Sequence, residues 1–370
     1  MTENFTTNID KFEVTLNGKQ ISIEVVDKYK YLGMWISKNN RYHLEQLIAK
    51  GKQAAYLTAK QLKEFGQVSG EILKNTFEML ALSRMKYCAE FCFFNNLKSL
   101  DQIQYQFYKR YYHLKPTTPN YCLIGEFGIR PMDIHFYKAA ICLWIRLITK
   151  DGNSLIKQVY NAIYLNMISN GNESRYTWCW RINRLLTKLN LSKLWDEQLT
   201  ADKKAYLRIT KDRICQYNRE KWISTAKESH SGLTYLELCQ FEETLKSYLN
   251  FDIDCNDINM LLKFRTKNHK LDFVTGSYRN RLRYEERLCE LCNESKVETL
   301  YHFMIECPLY QNMRQQIAPL LCYCNTIVEF HKLMNTLTPK HLKSIARFLK
   351  KANELRMVIK ERIHHKESEI

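Results

Sequence analysis

Cys289, Cys292, His302 and Cys307 are the residues of this 370-residue chain whose types and spacing most directly specify chemistry. Three thiols and one imidazole can close a tetrahedral shell, and Zn²⁺ prefers four nitrogen or sulfur ligands. The two-residue gap in Cys289-Glu-Leu-Cys292 lets one tight turn aim both sulfurs at one ion. Nine residues then precede His302, and four separate His302 from Cys307. Four protein ligands leave no open coordination position, so the expected ion is structural Zn²⁺ rather than a catalytic one. Such an ion can contribute on the order of 10 kcal/mol of apparent folding energy to a segment with little core of its own. Cys322 and Cys324 lie close enough in sequence to be alternative ligands.

The second chemistry on offer is electrostatic. Lysine and arginine number 56 against 39 aspartates and glutamates, a formal charge of +17. That excess favours a polyanionic partner: DNA, RNA or an anionic membrane surface. Cations crowd ahead of the cysteines at Arg265, Lys267, Lys270, Arg279, Arg281, Arg283 and Arg287, and each is a candidate phosphate contact. A second cluster interleaves Tyr105, Phe107, Tyr108, Tyr111 and Tyr112 with Lys109 and Arg110. Its rings could stack bases while Lys109 and Arg110 hold backbone. Tyrosines at helical spacing equally suit a packed core. The acidic run Asp252-Ile-Asp254-Cys-Asn-Asp257 fails as a calcium loop, because Asp257 stands where glycine is needed and Lys263 where the last glutamate is needed. Helix capping by Asp254 or Asp257 is the better reading. The chain carries no Gly-x-Ser-x-Gly, no phosphate-cradling glycine loop and no His-Glu-x-x-His, so no catalytic residue is assigned.

The elements that must position these residues are mostly helical. Phe12, Val14 and Leu16 alternate with polar residues, Asn17-Gly18 supplies a turn, and Ile21, Ile23 and Val25 alternate again. This is a hairpin signature, since the turn needs positive φ twice. A further strand is expected over Tyr29–Ile36. From about Tyr42 onward, Leu44, Leu47, Ile48, Ala55 and Leu62 mark one apolar helical stripe, and Leu73, Phe77, Leu80, Tyr87 and Phe91 a second. A third helix, Leu100 to Tyr112, ends before Pro116-Thr-Thr-Pro119. Gly125–Pro131 reads as a loop and Met132–Thr149 as another apolar helix. Asp151-Gly152-Asn153 and Asn170-Gly171-Asn172 punctuate the chain. Leu337–Ile370 reads as a basic amphipathic helix or pair of helices, fraying near His364-His365.

No stretch of 18 apolar residues is present, so no membrane-spanning helix is expected. The first residues lack a basic segment followed by an apolar one, so secretion is not expected. The 13 cysteines are odd in number and mostly scattered through apolar helical text. That pattern suits free thiols in a reducing, intracellular setting, cytoplasmic and/or nuclear.

In order, these pieces resemble the C-terminal part of a non-LTR (LINE-type) retrotransposon reverse transcriptase. Val26-Asp-Lys-Tyr-Lys-Tyr31-Leu32-Gly33 is similar to the family's block at the end of the polymerase palm, which implies a primer-grip role for Tyr31, Leu32 and Gly33. Pro116-Thr-Thr-Pro119-Asn-Tyr121 with Gly125-Glu-Phe-Gly128 is similar to the "STPNYALYGELG" region beyond the thumb. Arg287 through Tyr310 is similar to the zinc segment of the same proteins, a nucleic-acid contact element. His302-Phe-Met-Ile-Glu-Cys307 also matches the closing half of a nucleic-acid zinc knuckle. The resemblance implies a mainly α fold in five parts: a β remnant of the palm (1–41), a helical thumb-like region (42–150), a helical connector (151–275), a CCHC zinc-binding segment (276–315) and a basic helical tail (316–370).

Polymerases of this kind bind two metal ions on a paired-aspartate strand upstream of the Tyr-Leu-Gly block. No Asp-Asp pair precedes that block here. The resemblance therefore implies a nucleic-acid-binding, zinc-containing polymerase fragment that does not polymerise alone. Its expected partners are RNA and/or DNA and an upstream polymerase fragment, with no membrane, and Mg²⁺ enters only if a palm is supplied in trans. Two other readings fit the same text: a zinc-stabilised protein-interaction module, and a half-enzyme completed by a separate palm.

Overall fold

The structure, a computed structural model, describes residues 11–16, 18–37, 41–170, 177–198, 202–278 and 282–368. Strands β1 (Lys11–Leu16) and β2 (Lys19–Glu24) form the expected antiparallel hairpin, with Phe12 opposite Ile23 and Val14 opposite Ile21. Gly18 takes φ +77° at its turn; Asn17 and the Asn170-Gly171-Asn172 break (from Gly171 on) lie outside the described residues. The single strand expected over Tyr29–Ile36 is instead a second hairpin, β3 (Lys28–Tyr31) paired with β4 (Met34–Ser37). Its two-residue turn puts Leu32 at φ 44° and Gly33 at φ 88°, the twist that short hairpins favour. Leucine is costly there, which is why the sequence reads as uninterrupted strand. The Tyr87 hydroxyl holds the turn by donating to the Leu32 carbonyl.

Helix α1 (Arg41–Glu64) buries Leu44, Leu47, Ala55 and Leu62, the predicted stripe. The second stripe is only half right. After α2 (Gly70–Phe77), residues Glu78–Leu82 form a π-turn before α3 (Ser83–Met85) and α4 (Ala89–Cys92). The wider turn slips the buried face from Leu80, Tyr87 and Phe91 to Ala81, Leu82, Met85, Ala89 and Cys92. Helix α5 (Lys98–Tyr111) packs on α1, and Tyr105, Phe107, Tyr108 and Tyr112 are buried. Phe127 stacks against Tyr108 and Tyr112, with ring centroids 4.8 and 5.0 Å away. The aromatic run is therefore core.

Gly125–Phe127, expected to be loop, is the last turn of α6 (Asn120–Phe127), and Gly128 caps it in the left-handed conformation. A Cβ on Gly128 would sit 2.7 Å from the Leu245 nitrogen. Helix α7 (Met132–Ile148) follows as predicted. Around it pack α8 (Leu155–Asn170), α9 (Trp178–Lys188) and α11 (Lys203–Lys227), with the short α10 (Ser192–Asp196) against α9. Helix α12 (His230–Leu238) leads to α13 (Cys255–Arg265), capped by the Asp254 carboxylate as expected. Then come α14 (Asp272–Tyr278), α15 (Gln311–Arg314), α16 (Ala318–Leu321), α17 (Ile327–Asn335) and α18 (Pro339–Ser368).

The fold is mainly α with two small N-terminal sheets. Buried side chains from Leu44 to Ala352 form one contiguous cluster, so all segments after the hairpins share a core. At its centre Glu126 accepts from Arg265 Nε (3.0 Å to each carboxylate oxygen), Tyr248 (2.6 Å) and Tyr235 (3.1 Å). The rest of the guanidinium donates to the Met334 carbonyl and Asn335 Oδ1. The terminal basic segment is one helix, continuous past His364-His365, and it is not a tail: Leu342, Ile345, Phe348, Leu349 and Ala352 of α18 are buried, and the helix packs along α13. Among the described residues, no helix is long and apolar enough to cross a membrane.

Candidate metal centre

One ligand atom from each of Cys289, Cys292, His302 and Cys307 lies within 4.8 Å of all the others. Two local devices bring them together. The Cys289 amide donates to the Lys296 carbonyl (2.8 Å) and Glu298 to Arg287 (3.0 Å), a ribbon whose tip carries both cysteines of the Cys-x-x-Cys turn. Residues His302–Glu306 then form a π-turn, closed by the Cys307 amide on the His302 carbonyl at 2.8 Å. A π-turn lets residues five apart face one point, which an ordinary α-turn does not. Cys322 and Cys324 do not join the cluster.

His302 Nε2 lies 3.4 Å from the Cys292 sulfur, so this nitrogen faces the ligand centre. Its Nδ1 lies 3.3 Å from the Glu306 carboxylate, which is in turn bridged by Lys296 at 3.0 Å. A carboxylate behind a ligating imidazole fixes its tautomer and raises its basicity. The sulfurs share charge: the hydrogen bond between Cys307 and Cys289 lowers the Cys307 thiol and, with burial, pushes Cys289 up to about 12. Burial opposes protonation of His302, but the neighbouring Cys289 and Glu306 outweigh it and raise the imidazole. Crowded thiols that stabilise one another's anion suit a cation among them.

The segment is anchored from beneath. Phe303 is fully buried against Phe264, Tyr310 and Phe348. Glu298, also buried, takes two 2.6 Å bonds from Arg356 of α18 and one of 2.5 Å from the Asp272 amide. Lys360 bridges Asp272 and Glu290.

Four of the expected phosphate contacts need correction because their charges are spent inside the protein. Arg265 is fully buried on Glu126; burial works to lower it, and the carboxylate beside it holds it above its usual value. The Lys267 amine donates to Ser231 and Thr234, and burial lowers it to about 7. Arg287 donates to the carbonyls of Leu282 and Phe273. Lys109 is buried on the Pro116 carbonyl at 2.9 Å. Lys270, Arg283 and Arg110 are exposed, whereas Arg279 and Arg281 lie outside the described residues. Tyr31 and Leu32 are exposed at the hairpin tip, and Gly33 faces Tyr87.

Arg110 opens a feature that sequence reasoning missed. It lines a groove of about 630 Å³ between α1 and α5 with Lys52, Tyr56, Lys60, Lys63 and Gln106, and among the described residues no carboxylate lines it. The signal was present as a cationic stripe, Lys52, Lys60 and Lys63 around Tyr56, on one helix face. Beside it, sharing Lys63 and Tyr111, lies a second concavity of about 330 Å³ lined also by Tyr112 and Asn259. The Tyr112 hydroxyl and Asn259 Oδ1 are buried there without partners.

No protein-family model matches the chain, and neither a curated protein nor a solved structure is similar to it. Fold and site thus define a mainly α protein with a Cys₃His cluster able to hold a metal ion.

Proposed function

We propose that this protein is a nucleic-acid-binding module, related to LINE-type reverse transcriptases, whose Cys₃His cluster holds structural Zn²⁺. The observation that carries the binding reading is the α1–α5 groove, where four cations, an exposed tyrosine and, among the described residues, no carboxylate line a concave surface. Cations hold the phosphate backbone while exposed rings stack bases, a combination suited to single strands. The adjoining concavity supports the same reading, since unpartnered Tyr112 and Asn259 offer hydrogen bonds to a base edge. The metal plays no part in contact; three sulfurs and a nitrogen suit Zn²⁺, and full ligation leaves it structural.

The test is fluorescence anisotropy with labelled single-stranded RNA and DNA. Lys60→Glu with Lys63→Glu and Arg110→Glu is expected to weaken binding by at least about tenfold, through lost phosphate contacts and repulsion. Unchanged affinity in that variant would refute the groove as the contact surface.

One observation favours completion in trans by a polymerase palm as a second reading. Both hairpins expose apolar side chains, among them Phe12, Ile21, Ile23, Tyr29 and Ile36, and among the described residues both are two-stranded with unpaired edges. Co-expression with a palm-bearing polymerase fragment and co-purification of the two tests it. Co-purification that survives changing these residues to polar ones would exclude the hairpins as the joint.

A further inference from the structure

A separate cavity of about 640 Å³ opens where α2, α5, α7 and α11 converge. Four cations line it: Lys74, Lys86, Arg130 and Lys138. Glu78 and Glu243 are its only carboxylates among the described residues. Among the described residues, no ion pair engages Lys86, Arg130 or Lys138. Four cations against two carboxylates leave the lining net positive, a field that favours an anion.

The walls are built, not incidental. The loop carrying Arg130 is pinned on both sides: Lys74 donates to the Gly128 carbonyl at 3.0 Å and Gln104 to the Arg130 carbonyl at 3.0 Å. Gly128 approaches Leu245 too closely for any side chain. His135 lines the same wall and is held neutral, its imidazole lowered to about 4 by burial and by Lys86, Arg130 and Lys138. Asn218 is buried and gives its amide to Glu243 at 2.8 Å, which fixes its orientation. Its Oδ1 is left without a partner and calls for a hydroxyl or amine donor.

We infer that this cavity binds a small, multiply phosphorylated molecule that also carries hydroxyl groups, its phosphates on Arg130, Lys86 and Lys138 and a hydroxyl on Asn218. The volume suits a ligand of nucleotide size. The same chemistry is presented by a free phosphorylated metabolite and by the 5′-phosphate end of an oligonucleotide. The cavity uses Gln104 and Tyr108 of α5, whereas the groove uses Ile103, Gln106, Phe107 and Arg110, so the two sites lie on different faces of that helix.

Isothermal titration of the full chain with ATP and with tripolyphosphate tests the inference. Saturable binding is expected, tighter for ATP, and weakened by about tenfold or more in Arg130→Ala/Lys138→Ala, whose side chains are exposed and outside the core. Lys60→Ala/Lys63→Ala removes equal charge from the groove and should bind ATP like the wild type, which separates this site from nucleic-acid binding by the groove. Competition by a 5′-phosphorylated tetranucleotide, but not by its 5′-hydroxyl counterpart, would identify an oligonucleotide end as the source; no competition by either would identify a free metabolite. Absence of saturation at millimolar ATP, or equal weakening in both double variants, would overturn the site. Equal affinity for tripolyphosphate and ATP would overturn the hydroxyl contact.

Discussion

Glu306 stands four residues after His302 and never contacts the ligand centre itself, yet it sets which imidazole nitrogen faces that centre. Replacing Glu306 with glutamine removes the charge and keeps the size. Metal affinity should fall by about tenfold, read by competition with a colorimetric chelator. Cys292→Ser should lose the ion outright, whereas elemental analysis of the wild type should find about one equivalent. His269 makes a different prediction at this scale. It is buried, stacked on Phe264, and its Nδ1 accepts the Leu271 amide, so the neutral ring is built in. Burial first, then Lys267, Arg356 and Lys115, lower it from 6.5 to about 3. A group whose folded value is depressed in this direction binds protons more readily when unfolded. Its contribution is complete above about 6.5 and drains away as pH falls toward about 3. The slope approaches about 1.4 kcal/mol per pH unit. Asp101, raised to about 6 by burial, acts oppositely, contributing at low pH and losing that contribution as pH rises. The diagnostic is therefore the difference between the wild type and His269→Asn in urea unfolding at several pH values. The variant's stability should depend less steeply on pH between 6.5 and 4 than that of the wild type.

At the scale of elements, what the sequence made legible was whatever repeats locally. The α1 stripe, the Asn-Gly hairpin, the Asp254 cap and the cysteine–histidine spacing all follow from neighbours in the chain. The π-turn at Glu78–Leu82 was not legible, because one inserted residue reverses no composition signal and yet turns Tyr87 and Phe91 outward. Nor were the buried charges. Arg265 meets Glu126 across 139 positions, and Arg356 meets Glu298 across 58, so neither pairing is visible in local text and Arg265 reads there as a surface cation. The second pair ties α18 to the metal segment. Arg356→Ala would leave the Glu298 carboxylate buried and uncompensated, with a cost of about 3–5 kcal/mol in chemical denaturation. Arg356→Ala together with Glu298→Gln should recover part of that loss, since the orphaned charge is gone. A double variant no more stable than the single one would show that the pair is not what docks the helix.

Across the whole molecule, charge is spent unevenly. A +17 chain buries several of its cations as structural pairs and leaves others, at Lys52, Lys60, Lys63 and Arg110, around concave surface. That division predicts how nucleic-acid affinity responds to salt. If the groove holds backbone through these cations, the logarithm of the binding constant should fall linearly with the logarithm of salt concentration, with a slope of roughly −0.7 for each phosphate neutralised on a single strand. Removing Lys60, Lys63 and Arg110 should flatten that slope by about two units as well as weaken binding. Arg265→Met or Lys267→Met should leave the slope alone, because Arg265 is engaged by Glu126 and the Lys267 amine by Ser231 and Thr234, and any loss of binding there would track loss of folding. The chain contains no Asp-Asp pair to hold two catalytic ions, so the bound strand should not be extended when primer, nucleotides and Mg²⁺ are supplied. A steep salt slope that flattens when the groove cations are removed is the outcome the groove requires; a slope indifferent to those cations would remove the basis for it, whereas extension by the purified chain would refute only the expected inactivity.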